Sequence, residues 1–257
     1  MDHLSILRTA EFNKISRHLI GSKITLEIGG GSGFQKTLLD NFSDKVISID
    51  VKTHPDPIHD VTIYDGRTIP VKNNSIDRIF SSNVLEHIPD ITHSLKEMHR
   101  VLKDDGLAIH ILPTPSWRIW TTITHYPAIP IIVLSNLRNL RSYDELPVNT
   151  DLDESESYQT ITSTKPRFKL RWLLNILVSQ PHGERGNRFT EAYYYRKQWW
   201  IDTFQNIGFE MIETYTTGIY YSGNVLLGKQ LSLPARCILS SILGSSTRVF
   251  ILKKVTF

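Results

Sequence analysis

The sequence predicts an α/β fold: a doubly wound, mostly parallel sheet with helices on both faces. Short β-type runs alternate with segments of helical periodicity over residues 23–113. A glycine-rich turn joins the first of these runs to the helix that follows it. The alternation stops at Pro113 and resumes near residue 196, so we expect a large insertion between these two points.

The spacing of apolar residues defines each element in chain order. Leucine and isoleucine recur at helical spacing over 4–20, and Gly21 is typical of a helix end. The same periodicity predicts helices over 33–42, 90–102 and 196–207, the last ended by Gly208. Runs of alternating or continuous apolar residues predict strands over 23–28, 45–51, 76–81, 107–112, 209–214 and 248–253.

Composition excludes several classes of protein. The chain has 257 residues and one cysteine, which argues against a disulfide framework or a cysteine-built zinc site. No apolar run approaches the roughly 20 residues of a membrane span. The N-terminus does not have the pattern of a secretory signal, and we therefore expect a cytoplasmic protein.

The net charge of +3 hides an asymmetry between the two parts of the chain. Residues 1–160 carry a net charge of −5 and residues 161–257 a net charge of +8. Apolar stretches at 127–134, 172–178 and 231–243 lie among basic residues. Core packing is the first explanation, and peripheral contact with the anionic inner face of a membrane is the alternative.

The segment from Glu27 to Gly33 indicates a nucleotide-like ligand. Its glycines permit left-handed backbone angles and a close approach to a ligand. The dinucleotide fingerprint fails, because Phe34 and Lys36 occupy the positions of its third glycine. A phosphate-loop pattern misses only at Gln35, which leaves a nucleotide hydrolase as a rival.

An acid followed by G-x-G-x-G resembles the loop of class I S-adenosylmethionine-dependent methyltransferases, with Glu27 as the acid and Gly29, Gly31 and Gly33 as the glycines. The segment 69–77 resembles a further motif of this family, and the segments 81–88 and 95–102 resemble small-molecule members of its ubiquinone-biosynthesis-like group. The motifs HGERGN, YSGN and LGSS in the last third resemble methyltransferases of bacterial surface-polysaccharide synthesis. The resemblance implies a Rossmann-like sheet of seven strands, with the insertion after the fifth.

The resemblance also implies a cofactor, S-adenosylmethionine, and the residues that bind it. Asp50, with the adjoining Val51, would accept the ribose hydroxyls at the end of the second strand. Asp60, with Val61, would reach the adenine amino group, and Glu27 would lie near the methionine part. The expected cofactor residues are Glu27, Gly29, Gly31, Gly33, Asp50, Val51, Asp60, Val61 and Asn83.

Two histidines are the candidate catalytic residues. His87 follows a strand at the carboxyl edge of the sheet, where a neutral imidazole could take a proton from the acceptor. His182 lies in a glycine-punctuated loop and is the second candidate. Structural roles for both histidines remain open. The expected substrate-binding residues are Trp117, Glu184 and Arg188, and Arg185, Arg188 and Arg196 are candidate phosphate contacts.

These observations predict a single methyltransferase domain, 1–257. It comprises an N-terminal helix (1–22), a cofactor-binding core (23–113), an inserted substrate lid (114–195) and a C-terminal helix with the last strands (196–257). We expect methyl transfer to an oxygen of a small molecule or a glycan, including a phosphate-bearing precursor of a surface polysaccharide. The rivals are a nucleic-acid or protein methyltransferase, which we consider less favoured, and a non-catalytic cofactor-binding module. Histidine spacing predicts no metal site, and the sequence leaves the oligomeric state open.

Overall fold

The computed structural model describes residues 3–141, 181–187, 189–222, 226 and 228–255, with the backbone alone for 135–141 and 229. Its helices are α1 His3–Ile15, α2 Phe34–Leu39, α3 Ile91–Val101, α4 Pro115–Arg141, α5 Glu191–Tyr194, α6 Lys197–Gln205 and α7 Leu233–Leu243. Its strands are β1 Ser22–Ile28, β2 Ser43–Asp50, β3 Thr62–Ile63, β4 Ile76–Ser82, β5 Leu102–Pro113, β6 Phe209–Thr216 and β7 Thr247–Lys254. Short 3₁₀ turns include Leu85–His87.

The seven strands form one sheet in the order β3-β2-β1-β4-β5-β7-β6. The first five strands are mutually parallel, whereas β7 runs antiparallel to both β5 and β6. The predicted seven-stranded, mostly parallel sheet is confirmed. Because β1 lies between β2 and β4, the winding reverses there, and this crevice is where such sheets bind ligands.

Apolar residues cover both faces of the sheet. On one face, Met98 of α3 and Trp200 and Phe204 of α6 pack against the central strands. On the other face, Phe12 of α1 and Leu39 of α2 do so. Neighbouring residues of a strand point to opposite faces, so the two apolar clusters pack on opposite faces of the central strands. The ends of these strands are therefore a firm base for a site.

The structure differs from the pattern in three places. Strand β3 was missed because it has only two residues, both exposed. Strand β5 begins at Leu102, directly after α3, because the pairing of Ile76 with Leu102 and of Arg78 with Leu107 turns 103–106 into a bulge. The apolar stretch 231–243, for which no helix is predicted, contains helix α7, and the Ser232 hydroxyl caps the N-terminus of this helix.

The first part of the predicted insertion is a long helix. Helix α4 continues through Pro127 and Pro130. Its exposed side chains include Ile123 and Leu134. Within the described ranges, no helix has the length and apolar character that crossing a bilayer requires. The stretch 142–180, which includes the apolar run 172–178, lies outside the described residues.

Candidate active site

The glycine loop lies at the carboxyl end of β1, in the crevice where the winding reverses. Gly29, Gly31 and Gly33 have φ angles of 76°, 51° and 82°, which side-chain-bearing residues rarely adopt. A Cβ atom on Gly29 would lie 2.3 Å from Val84 Cγ2, and one on Gly33 would lie 2.9 Å from the carbonyl oxygen of His59. Glycine is therefore required at both positions for shape as well as for conformation.

Asp50 ties this loop to the end of β2. Its Oδ2 atom accepts the backbone N–H of Gly31 at 2.8 Å, and its Oδ1 accepts those of Val51 at 2.6 Å and Lys52 at 3.2 Å. A carboxylate offers about four acceptor positions, so one more donor can be accepted. The half-buried Asp50 can thus shape the loop and still receive a ribose hydroxyl.

Glu27 is buried beneath the loop, with 1% of its surface exposed. The Ser48 hydroxyl donates to its Oε2 atom at 2.6 Å. Burial raises the pKa of Glu27 to about 8, and the Ser48 hydrogen bond opposes this shift. Glu27 is therefore a neutral acid at pH 7 that a nearby cation would help to ionise.

A cavity of about 210 Å³ opens beside the loop. It is lined by Gly31, Lys52, Thr53, His54, Pro57, His59, Asp60, Val61 and Ile63. The predicted residues Asp60 and Val61 therefore lie together in this wall, next to the loop glycine Gly31. Val51 contributes its backbone N–H to Asp50, while its side chain is half exposed. The arrangement places an acid and apolar surface beside the glycine loop.

Asn83 follows the last residue of β4. Its φ angle is 54°, and its backbone N–H donates to the Ile111 carbonyl at 2.8 Å. Asparagine tolerates this left-handed conformation better than most residues. The turn it starts brings Val84 against Gly29, and the Val84 carbonyl accepts the His87 N–H at 2.9 Å. The glycine loop and His87 are thus coupled through Val84.

The two candidate catalytic histidines meet. His87 Nε2 lies 3.1 Å from His182 Nε2, with the rings edge to face. Burial lowers the pKa of His87 and lowers that of His182 to about 3, so both imidazoles are neutral at pH 7. Each neutral ring keeps one nitrogen lone pair, which can accept a proton or bind a cation.

Glu86, beside His87, is a residue whose importance the sequence did not show. It is 1% exposed, and within the described ranges neither carboxylate oxygen accepts a hydrogen bond from another residue. Burial raises its pKa to about 8. The Leu-Glu-His motif indicates this position, but periodicity alone does not show that the side chain is buried.

Glu191 at the start of α5 was also missed. It is fully buried, and its Oε1 accepts the backbone N–H groups of His182, at 2.6 Å, and Gly183. The same oxygen accepts the Tyr195 hydroxyl, and Oε2 lies 2.7 Å from Arg118 Nε. Glu191 therefore holds the loop that carries His182. No sequence pattern indicated this, because the contacts depend on a loop closing onto a short helix.

The structure describes two of the three predicted substrate-binding residues, Trp117 and Glu184. Trp117 is 6% exposed, and the centre of its ring lies 4.6 Å from that of His182, so it packs against the second histidine of the pair. Glu184 is exposed near His87 and donates its backbone N–H to the Glu86 carbonyl. Arg188 lies outside the described residues.

Arg185 does not fit the predicted phosphate contact. Its guanidinium donates to the carbonyl oxygens of Leu85, Glu86 and Ile88 and lies over the rings of Trp199 and Trp200. These contacts fasten the 181–187 loop to the turn after β4 and leave Arg185 little capacity for phosphate.

Arg196 is exposed and lies 5.1 Å from the centre of the Tyr193 ring.

Sequence comparison matches the part of the chain that carries the glycine loop, Asp50 and His87. Residues 26–110 match the family model described as a methyltransferase domain. An uncharacterised methyltransferase of Mycobacterium sp. strain KMS is 29% identical over 121 residues, 41% of this chain and 46% of that protein. One from Mycobacterium bovis strain BCG Pasteur is 34% identical over 96 residues, 33% of this chain and 37% of that protein. The match thus covers less than half of the length of each of these two relatives.

Structural comparison extends over nearly the whole chain. A SAM-dependent methyltransferase from Archaeoglobus fulgidus superposes with a TM-score of 0.54 at 12% identity, covering 97% of this chain and 94% of that one. At such identity the comparison shows the fold alone. The domain match, joined to the glycine loop and Asp50, supports S-adenosylmethionine as the cofactor. The chain therefore has the Rossmann-like fold seen in class I methyltransferases, and its residues 26–110 match the methyltransferase-domain model.

Proposed function

We propose that this protein transfers a methyl group from S-adenosylmethionine to a hydroxyl oxygen of a small molecule or glycan. The observation that carries the proposal is the cradle formed by Glu27, the glycine loop and Asp50, in contact through Val84 with the turn that bears His87. When bound, the cofactor supplies a methyl group activated on a positively charged sulfur. The protein must then position the acceptor, exclude water and remove one proton.

Each part of the cradle suits one part of the cofactor. The free acceptor capacity of Asp50 suits a ribose hydroxyl, and the wall at Asp60 and Val61 suits the adenine. Glu27 lies at the end of β1 and can compensate a cationic group by losing its proton. The absence of a side chain at Gly29 lets the loop pack directly on Val84, which fixes the position of the loop beside the ligand crevice.

The histidine pair suits the acceptor end. His87 and His182 are held on the turn after β4 and on the 181–187 loop, above Trp117. The His87 lone pair would accept the proton of the attacking hydroxyl while His182, 3.1 Å away, holds the His87 ring in place, and general-base catalysis typically contributes about 10²–10⁴-fold. No Asp/Asn-Pro-Pro-Tyr/Phe segment, typical of transfer to exocyclic amines, occurs in the sequence. This favours oxygen over nitrogen.

The acceptor class rests on the last third of the chain. The motifs HGERGN, YSGN and LGSS resemble polysaccharide-modifying methyltransferases, and the net charge of residues 161–257 favours anionic acceptors. We therefore propose a sugar of a surface-polysaccharide precursor as the acceptor. Cytoplasmic location, with contact at the inner membrane face, fits such a substrate.

Calorimetry with S-adenosylhomocysteine tests cofactor binding. Asp50→Ala should lower the affinity by about 10- to 100-fold, as expected for the loss of a charged hydrogen bond. Asp65→Ala is the matched control, because Asp65 also accepts two backbone N–H groups but lies in an exposed turn. No binding by the wild type, or equal affinities for the wild type and Asp50→Ala, would overturn the proposal.

A radiolabelled methyl-transfer screen tests the acceptor. Nucleotide sugars, lipid-linked glycans and quinone-like phenols should be compared with RNA, DNA and proteins. We expect label on a sugar hydroxyl. Label confined to nucleic acid or protein would favour the rival methyltransferase classes, and cofactor binding without turnover on any acceptor would favour a non-catalytic module. Tight binding of magnesium–ATP in place of S-adenosylhomocysteine would instead identify a nucleotide hydrolase.

A further inference from the structure

We propose that Glu86, His87 and His182 bind a divalent transition-metal ion of the Zn²⁺ type. One ligand atom from each residue, a carboxylate oxygen and two imidazole nitrogens, lies within 4.8 Å of the other two. Two histidines and one carboxylate form a known donor set for zinc and for other first-row metals. Residues 86 and 182 are far apart in the chain, so spacing rules could not detect the set.

The histidine geometry suits a shared ion. Their Nε2 atoms face each other at 3.1 Å. Two nitrogens bound at about 2.0–2.1 Å around a tetrahedral ion lie roughly 3.4 Å apart. A shift of a few tenths of an ångström would therefore place both nitrogens on one ion.

Glu86 provides an independent indication. Its carboxylate is buried, yet within the described ranges neither oxygen accepts a hydrogen bond from another residue. Its Oε1 lies 4.0 Å from His87 Nε2. A buried carboxylate is costly unless it is paired or coordinates a metal. An ion bound between Glu86 and the histidines would pair with this buried carboxylate and compensate its charge.

The ligands are oriented by contacts behind them. Glu191 accepts a hydrogen bond from the His182 backbone N–H. The Gly183–Glu184 segment packs on the Glu86 backbone, so closely that a Cβ on Gly183 would lie 2.8 Å from the Glu86 carbonyl oxygen. Arginines lie near the cluster, but Arg8 pairs with Glu11 at 3.1 Å and Arg118 with Glu191 at 2.7 Å. These two carboxylates compensate the charges of Arg8 and Arg118, so Arg185, bound to carbonyl oxygens beside Glu86, is the cation that the Glu86 carboxylate has to offset at the site.

Three protein ligands leave a coordination position for water or an acceptor oxygen. A bound ion would lower the pKa of a coordinated acceptor hydroxyl so that its proton could pass to water, and the two imidazoles would then assist the acceptor as ligands in place of direct proton transfer. This role rests on the proposed function, whereas metal binding itself does not. The donor set favours Zn²⁺ over Mg²⁺, which prefers oxygen ligands.

The test is competition titration of the metal-free full chain with Zn²⁺, and visible absorption with Co²⁺ as the spectroscopic probe. We expect one tight equivalent of Zn²⁺ and a Co²⁺ spectrum with nitrogen ligation. His182→Ala should lower Zn²⁺ affinity at least about 100-fold, the upper range for loss of an outer-shell partner. Glu86→Gln, which keeps the side-chain shape, should lower it at least about 10-fold.

His93→Ala is the matched control, since the exposed His93 contacts the Arg67 carbonyl and lies outside the cluster. Unchanged affinity in this variant, with native circular dichroism in all variants, supports the site. Wild-type affinity no higher than that of Glu86→Gln and His182→Ala, or equal loss in His93→Ala, overturns it. S-adenosylhomocysteine binding is measured on the same samples. Zn²⁺ binding without cofactor binding would refute the proposed function alone, and the reverse would refute the metal site alone.

Discussion

The Nε2 atoms of His87 and His182 lie 3.1 Å apart, although 95 positions separate the two residues in the chain. The contact forms because the 181–187 loop is fastened to the turn after β4 by the Glu184 N–H and by the Arg185 guanidinium, both bound to carbonyl oxygens of that turn. The predicted core and the predicted lid therefore meet at the candidate catalytic histidines.

Removing either histidine should reduce turnover without weakening cofactor binding. For His87→Ala and His182→Ala we expect kcat to fall by about 10²–10⁴-fold, because the lone pair that assists the acceptor is lost. The double variant should lose little more than either single variant, because the two rings act as a unit. Steady-state kinetics and calorimetry measure the two effects separately. Full turnover in either single variant would exclude a catalytic role for the pair.

Glu191→Gln should destabilise the fold and misplace His182. The substitution leaves the buried Arg118 without its carboxylate partner, which typically costs about 3–5 kcal/mol of unfolding free energy. Urea unfolding measures this loss, and Glu210→Gln on the exposed side of β6 is the control. Because Glu191 is a positioning residue, kcat should fall while cofactor affinity is retained. A stability change below about 1 kcal/mol would contradict this assignment.

Two glycines with the same backbone angle separate crowding from conformational strain. Gly29 and Gly21 have φ angles of 76° and 77°, but a Cβ on Gly29 would clash with Val84, whereas one on Gly21 meets no atom within 4 Å. Gly21→Ala should cost only about 1–2 kcal/mol. Gly29→Ala should cost more and abolish S-adenosylhomocysteine binding. Equal effects of the two substitutions on calorimetry and unfolding would refute the close-packed loop.

The raised pKa of Glu27 should appear in the pH dependence of stability. Its pKa rises from 4.5 to about 8 on folding, so the folded state keeps a proton that the unfolded state has lost. The contribution of Glu27 to stability should therefore fall as the pH rises from about 4.5 to about 8, and the slope of Glu27→Gln should differ from that of the wild type by the loss of this contribution. Urea unfolding across that range, with Glu210→Gln as the control, gives the comparison. An unchanged slope in Glu27→Gln would show that Glu27 is not protonated.

What the sequence predicted well depends on neighbours in the chain. The loop from Gly29 to Gly33 and the acid at Asp50 lie at strand ends, and the pairing of β1 with β2 alone brings them together. The seven-stranded sheet followed from the same local alternation together with the family resemblance. The sequence could not show how Glu191 and Arg118 meet, because their contact depends on how the insertion folds back. The sequence predicts Arg185 as a phosphate contact, but both terminal nitrogens of its guanidinium donate to nearby carbonyl oxygens.

The position of β7 has a consequence for the order in which the protein assembles. β7 follows the other six strands in the chain, yet it lies between β5 and β6, and β6 pairs with no other strand of the described sheet. During synthesis, β6 therefore leaves the ribosome before its only neighbour exists. The edge of β5 also stays open until the same eight residues arrive. The sheet must close after translation of β7, and until then an unpaired β5 edge is exposed to aggregation.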